Sequence, residues 1–224
     1  MKKLVVLTGA GISAESGIRT FRDMGGLWEE HDIEEVASPQ GWENNMELVL
    51  DFYNQRRKQL LESKPNEAHF KLAELEKSFD VQIITQNVDD LHERAGSKKV
   101  LHLHGELRKS MSTGTSDVYA INGWELNPGD TCEKGFQLRP FVVWFGEPVP
   151  MMDNAIKLTV EADIFVVVGT SLNVYPAAGL LGYVKRDVPI YIVDPNDVTC
   201  WRQVIAIKEK ASTGVKKLAD ILHL

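Results

Sequence analysis

The stretch LVVLTGAGISA, residues 4–14, decides the fold. LVVLT (4–8) reads as a strand buried on both faces, and Gly9-Ala10-Gly11-Ile12-Ser13-Ala14 then satisfies the pattern G-x-G-x-x-G/A. Small residues in such a turn let backbone N–H groups and a helix start approach a pyrophosphate. A tight strand-to-helix turn with no ligand satisfies the same pattern, so the surrounding sequence has to decide between them.

Similar apolar runs recur at VQIIT (81–85), VLHLH (100–104), FVVWF (141–145), IFVVVGT (164–170) and IYIVD (190–194), and each reads as a buried parallel strand. Helical patterns alternate with them, at NEAHFKLAELEKSF (66–79) behind Pro65 and Asn66, and at the closing KKLADILHL. This alternation predicts an α/β chain with a Rossmann-like parallel sheet and helices on both faces. Two stretches break the rhythm. Residues 23–65 carry the long helical pattern MELVLDFYNQRRKQLL, and 106–138 are polar and rich in glycine. The two insertions are expected to form a small lobe, beside a sheet domain made of 1–22, 66–105 and 139–224. A cleft between them then lies at the carboxyl ends of the strands, where ligands of such sheets bind.

Charge and composition exclude several classes. Lys and Arg number 25 against 32 Asp and Glu, a net charge of −7 with no basic block, so binding to nucleic acid is not expected. No apolar run reaches bilayer length, so no membrane association is expected. Cys132 and Cys200 are too far apart in sequence to announce a disulfide framework. With a strand starting at residue 4, no targeting leader is expected, and the chain is read as a cytoplasmic monomer.

The polar residues gather at strand ends. After the opening glycines come Ser13, Glu15, Ser16, Arg19, Thr20 and Arg22, where a dehydrogenase has a plain helix and then a second strand ending in an acidic residue. FRDMGGLWEEHD (21–32) contains no such strand, which suits a cofactor that is itself chemically attacked. In TQNVDDLHERAG (85–96), Gln86, Asn87 and Asp89 emerge over the same cleft, either pairing with a carboxamide or capping a helix. LHLHGEL (101–107) places His102 and His104 on one strand face, as a general base or as structural histidines. No carboxylate or cysteine at a recognised spacing completes a metal ligand set around them. GTSLNVYPAAG (169–179) repeats the strand-to-glycine turn, and VVWFGEPVP (142–150) offers an extended segment for pairing with a peptide, or a buried edge.

Together with GLW (26–28), these motifs in this order, over residues 4 to about 179, resemble the sirtuins, NAD-dependent protein lysine deacylases. The match is most similar to bacterial members and to those acting on acidic acyl groups. The resemblance implies that NAD is held by Gly9, Ala10, Gly11, Glu15, Thr20, Phe21, Arg22, Gln86, Asn87, Asp89, Gly169, Thr170, Ser171 and Asp194, with adenine near ASTGV (211–215). It implies His104 as the general base, Asn87 as its catalytic companion, and an acyl-lysine protein or peptide flanked by Val143, Phe145, Gly146, Glu147, Asn173 and Val174. The implied products are nicotinamide, free lysine and O-acyl-ADP-ribose. NAD hydrolysis, ADP-ribosyl transfer and a non-catalytic NAD-sensing role stay open as alternatives.

Tyr53 and Arg56, spaced i, i+3 in DFYNQRRKQL, share a helix face, and this Y-x-x-R pair resembles that of sirtuins preferring succinyl- or malonyl-lysine. Arginine binds a carboxylate bidentately while tyrosine adds a hydroxyl donor. The chain also departs from the family. Most sirtuins hold a structural zinc with four cysteines, whereas 106–138 contain only Cys132, so no zinc is expected. The lobe is expected to be held by packing of Tyr119, Ile121, Trp124, Leu126 and Phe136. Asp194 stands where the family often has asparagine, and it accepts hydrogen bonds but cannot donate one as an amide does.

Overall fold

The computed structural model describes residues 1–18 and 32–222. The expected cofactor residues Thr20, Phe21 and Arg22, and the GLW motif, lie outside the described residues. In chain order the elements are β1 (Lys3–Thr8), α1 (Ala10–Ala14), α2 (Ile33–Val36), α3 (Pro39–Asn44), α4 (Met46–Glu62), α5 (Glu67–Leu75), β2 (Asp80–Thr85), α6 (Leu91–Arg94) and β3 (Val100–His102). They continue with β4 (Gly105–Ser112), β5 (Val118–Ala120), β6 (Leu138–Val142), α7 (Met152–Val160), β7 (Ile164–Val168), a 3-10 helix (Ala177–Tyr183), β8 (Ile190–Val193), β9 (Ile205–Ile207) and α8 (Ala211–Ile221). Among the described residues, no helix is long and apolar enough to cross a membrane.

Six strands form a sheet in the order β3-β2-β1-β7-β8-β9, every pair parallel. Helices cover both faces, which is why the strand sequences read as continuous apolar runs. Leu4, Val6, Ile83 and Val166 pack with Leu72 and Leu75 of α5 and Val215 and Leu218 of α8. Val5, Leu7, Phe165 and Val167 face the other way, against Ala155 of α7 and Leu180 and Leu181 of the 3-10 helix. From β1 the chain winds outward through β2 and β3, and from β7 it winds the other way, so the order reverses between β1 and β7. In open α/β sheets that switch point opens a crevice at the carboxyl ends of the strands.

Two strand expectations are corrected. FVVWF is not a parallel strand of the main sheet: Phe141 and Val142 end β6, which pairs antiparallel with β4 in a separate three-stranded sheet ordered β5-β4-β6. The chain leaves the main sheet at Gly105, whose φ of 81° and close approach to the Phe141 carbonyl suit glycine alone. For the same reason VLHLH is a strand only as far as His102. An apolar run reports burial and says nothing of which strand will be its neighbour.

The small sheet and the loop between β5 and β6 are tied to α4. Leu50 packs with Ile121 and Leu126, while Asn54 donates to the Leu126 carbonyl and accepts from its N–H. Arg57, fully buried, donates to the carbonyls of Leu107 (2.7 Å) and Trp124 (2.6 Å) and to Asn54 Oδ1 (2.7 Å). Packing therefore accounts for only part of the hold that the sequence led us to expect. Ile121 and Leu126 are buried and Trp124 is half-buried, but Phe136 is exposed, and Tyr119 spends its hydroxyl on Glu133 at the surface. Polar pins running from α4 to backbone groups supply the remainder.

Candidate functional site

A cleft of about 660 Å³ opens at the switch point. One wall is the turn from β1 into α1, where Gly9, Ala10, Gly11, Ala14 and Glu15 line it. The facing wall is the turn after β7, with Gly169, Thr170 and Ser171. These turns touch backbone to backbone: Gly9 N–H donates to the Val168 carbonyl (3.0 Å) and Gly11 N–H to the Gly169 carbonyl (2.9 Å). A Cβ on Gly11 would lie 2.7 Å from the Gly169 Cα. The glycines are thus required by the contact between the two turns, and the N–H groups of Gly9 and Gly11 are spent there instead of standing open to a phosphate. Glu15 lines the mouth with its carboxylate held by the N–H (2.9 Å) and hydroxyl (2.7 Å) of Ser212.

The cleft floor comes from the end of β2. Gln86 donates to Thr170 Oγ1 (3.2 Å), joining β2 to the second turn. Asn87 is held more tightly: its N–H donates to Thr85 Oγ1 (3.0 Å), and its Nδ2 donates to the Gly9 carbonyl (3.1 Å) and to Ser13 Oγ (3.2 Å). Both amide hydrogens being committed, Oδ1 is left as an acceptor with no partner among the described residues. Asp89 lies behind this floor, outside the main cleft, and lines a small adjoining cavity with Ser13, Arg56 and Asn87. Burial raises its pKa, opposed by hydrogen bonds from Leu91 N–H and Ser13.

His104 stands on the cleft wall, while His102 does not. Its Nδ1 lies 3.0 Å from the Gln86 carbonyl, which can only accept, so Nδ1 carries the hydrogen. Nε2 is then unprotonated in the neutral ring and has no partner among the described residues. Burial lowers the His104 pKa below 6.5, partly offset by the bond to Gln86. The wall beside it is Val142, Val143, Trp144, Phe145, Gly146 and Glu147. The N–H groups of Val143, Trp144 and Phe145 are taken by the His104 carbonyl, Glu147 and the Ala37 carbonyl, and the Val142 and Trp144 carbonyls accept from Arg139 and from Glu147 N–H, so this segment does not present a full strand edge. Both Glu147 carboxylate oxygens grip Arg139 (2.7 and 3.1 Å), and the Arg139 guanidinium lies 3.4 Å over the Trp144 ring.

Tyr53 and Arg56 of α4 also reach the cleft. Tyr53 is buried and its hydroxyl accepts from Trp144 Nε1 at 3.0 Å. The half-buried Arg56 guanidinium lies 5.5 Å from the Phe52 ring centre and 5.9 Å from that of Tyr53, and burial lowers its pKa. Of the other expected residues, Val174 and Asp194 line the cleft and Asn173 does not. Asp194 Oδ1 accepts from Asn196 N–H (2.9 Å). Sequence reasoning missed Trp144, Tyr175, Asn196, Asp197 and Lys210 as lining residues. The carboxyl-end rule applied to β8 would have found Asn196 and Asp197, whereas nothing local to Trp144 announces its bond to Tyr53. Among the described residues, no group of three or more His, Cys, Asp or Glu is arranged to hold a metal.

Comparison with known proteins identifies the family of the chain and its fold. The sequence model of the Sir2 family matches residues 9–176. An "NAD-dependent protein deacylase" of Bacteroides thetaiotaomicron is 54% identical over 232 residues, spanning 99% of this chain and 98% of that one. One of the same name from Helicobacter pylori is 59% identical over 198 residues, 88% of this chain and 84% of its own. Among solved structures, a Sir2 homologue mutant in an ADP ribose complex superposes with a TM-score of 0.92 at 40% identity, covering 100% of this chain and 94% of that one. A Sir2 homologue–NAD complex gives 0.90 at 41% identity, covering 99% and 89%. Sir2 bound to acetylated peptide gives 0.84 at 29% identity, covering 97% and 92%.

Proposed function

The chain belongs to the Sir2 family, and on that premise we propose that it is an NAD-dependent protein-lysine deacylase whose reaction takes place in the cleft at the switch point. The observation that carries the proposal is the pairing, on one cleft, of a neutral histidine nitrogen, His104 Nε2, with an amide oxygen, Asn87 Oδ1, whose own amide hydrogens are bound into the protein.

The donor set fits NAD. Small residues from both turns leave a narrow, mostly apolar slot, Asn87 Oδ1 suits a carboxamide N–H, and Ser171, Asp194 and Lys210 supply polar contacts further along. When bound, NAD supplies an electrophilic ribose carbon from which nicotinamide departs. Asn87 and Gln86 orient the nicotinamide end, and Gly169, Thr170, Ser171 and Asp194 the remainder. His104 takes a ribose hydroxyl proton onto Nε2, its Nδ1–H held by the Gln86 carbonyl throughout. Val143, Phe145, Gly146 and Val174 flank the acyl-lysine peptide and, with Trp144, keep water from the reacting atoms.

The finer part of the proposal is a preference for succinyl- and malonyl-lysine. It is supported by Tyr53 and Arg56 lining the same cleft as His104, the one with a hydroxyl and the other with a cation suited to the acyl carboxylate. The small lobe of 23–65 and 106–138 belongs to this reading, because α4 both carries that pair and anchors the loop at Trp124–Leu126. The deciding experiment is mass spectrometry of acetyl-, succinyl- and malonyl-lysine peptides incubated with the protein and NAD. Acyl loss that requires NAD and yields O-acyl-ADP-ribose supports the proposal, whereas nicotinamide release with every peptide unchanged replaces it with NAD hydrolysis.

A further inference from the structure

We propose that His102, gripped between Glu93 and the Asn87 carbonyl, is a positioning residue that acts only as the imidazolium and holds Asn87 in place on the cleft floor. The role rests on the assignment of that floor to the reaction above. His102 Nδ1 lies 3.1 Å from the Asn87 carbonyl oxygen and Nε2 lies 2.8 Å from Glu93 Oε1. Both partners can only accept. A neutral imidazole has a single N–H, so one of the two contacts would set lone pair against lone pair, and only the doubly protonated ring satisfies both. His104, two residues on, makes one such contact and is free to be neutral. The two histidines of HLHG therefore differ in charge, one cationic and the other neutral, by virtue of what their second nitrogen faces.

The surroundings support a cation. The His102 side chain is only 9% exposed. Facing it are Glu93 and His92 of α6, Asp89 of the loop after β2, and Glu106 of β4, the last paired with Lys109 at 2.7 Å. Burial opposes the charge, but the hydrogen bond and charge of Glu93, helped by Glu106, outweigh it and raise the pKa above 6.5. His102 supplies the remaining hold on Asn87, whose N–H and Nδ2 are anchored to Thr85, Gly9 and Ser13. Once the proton leaves, the ring must give up either the carbonyl or the carboxylate, and the anchor is halved.

The test uses the full chain without ligand. Long-range 1H–15N NMR, with the His102 signals assigned by their loss in His102→Asn, is expected to show both ring nitrogens protonated at pH 7 and a midpoint above 6.5. The 13C shift of the Asn87 carbonyl should follow that midpoint. Glu93→Gln lowers it, because glutamine can donate to a neutral Nε2. A singly protonated ring at pH 7, or a midpoint untouched by Glu93→Gln, overturns the proposal. In turnover with NAD and peptide, Glu93→Gln should flatten the alkaline limb of kcat/KM, because its neutral ring still donates from Nδ1 to the Asn87 carbonyl while accepting from glutamine at Nε2. His102→Asn keeps a donor for Asn87 and should stay within roughly fivefold of the parent, while His102→Leu loses roughly 10- to 100-fold, as removal of a charge-assisted hydrogen bond implies. Equal losses in the two variants contradict the role. Absence of turnover in the unaltered protein would sink the deacylase reading alone, since the ring and carbonyl titrations still decide the charged hold.

Discussion

Arg56→Met puts the acyl-selectivity reading under the most direct strain. The guanidinium sits half-buried in the cleft, over Phe52 at 5.5 Å and beside Tyr53 at 5.9 Å. An arginine stays charged at neutral pH, and a carboxylate about 4 Å away at an effective dielectric of about 20 is attracted by at most ~4 kcal/mol. Desolvation of both groups reduces this to the net value of a charge-assisted hydrogen bond, about 2–3 kcal/mol. At about 1.4 kcal/mol per factor of ten, kcat/KM for succinyl- and malonyl-lysine peptides should fall roughly 30- to 150-fold. Acetyl-lysine brings no charge to the guanidinium and methionine keeps most of the stem, so the acetyl peptide should change by less than about threefold. Initial rates by mass spectrometry on matched peptides give the comparison. Equal losses on all three peptides would refute the pocket argument, because a general distortion of α4 makes no distinction among acyl groups.

Three further expectations follow from the same geometry. His104→Ala should lower turnover by roughly 10²- to 10⁴-fold without altering the thermal unfolding midpoint by more than about 2 °C; because the base works neutral and burial lowers its pKa, the acid-side decline of the parent's activity should begin below pH 6.5. The buried His69, whose Nδ1 accepts from Asn66 N–H in the cap of α5, has its pKa lowered from 6.5 to about 4 by burial. The unfolded chain therefore binds its proton first, stability is full above pH 6.5, and up to ~3 kcal/mol is lost as pH falls through this window to about 4. Urea midpoints at pH 7 and 4.5 should converge in His69→Gln, and an unchanged acid slope would contradict this account. Finally, elemental analysis should find less than about 0.1 zinc per chain, and EDTA should leave the urea midpoint where it was, whereas Asn54→Ala, which breaks both bonds to Leu126, should cost about 2 kcal/mol. A chelator-sensitive midpoint would show that a metal holds the lobe.

The sequence by itself determined the layered sheet and the side of it that carries the site. Runs such as LVVL and IFVVV are apolar at every position because helices cover both faces of a parallel strand, and that pattern survives in one dimension. The turns that follow them are polar and glycine-rich, so Gln86, Asn87, His104 and Thr170 were recognisable as neighbours of one cleft. Tertiary structure decided what each residue is spent on. FVVWF is as apolar as its counterparts, yet its first two residues end β6 and pair antiparallel with β4, the strand that leaves the main sheet at Gly105. Gly9 and Gly11 match a phosphate-binding pattern, yet their N–H groups serve the second turn. His102 and His104 are alike in sequence, but the ring of one lies between two acceptors and that of the other faces one acceptor and the cleft. Trp144 reaches Tyr53 from 91 residues away. A local pattern records whether a residue is buried and how its backbone runs, whereas a hydrogen-bond partner, and with it a protonation state, comes from whichever distant segment the fold brings alongside.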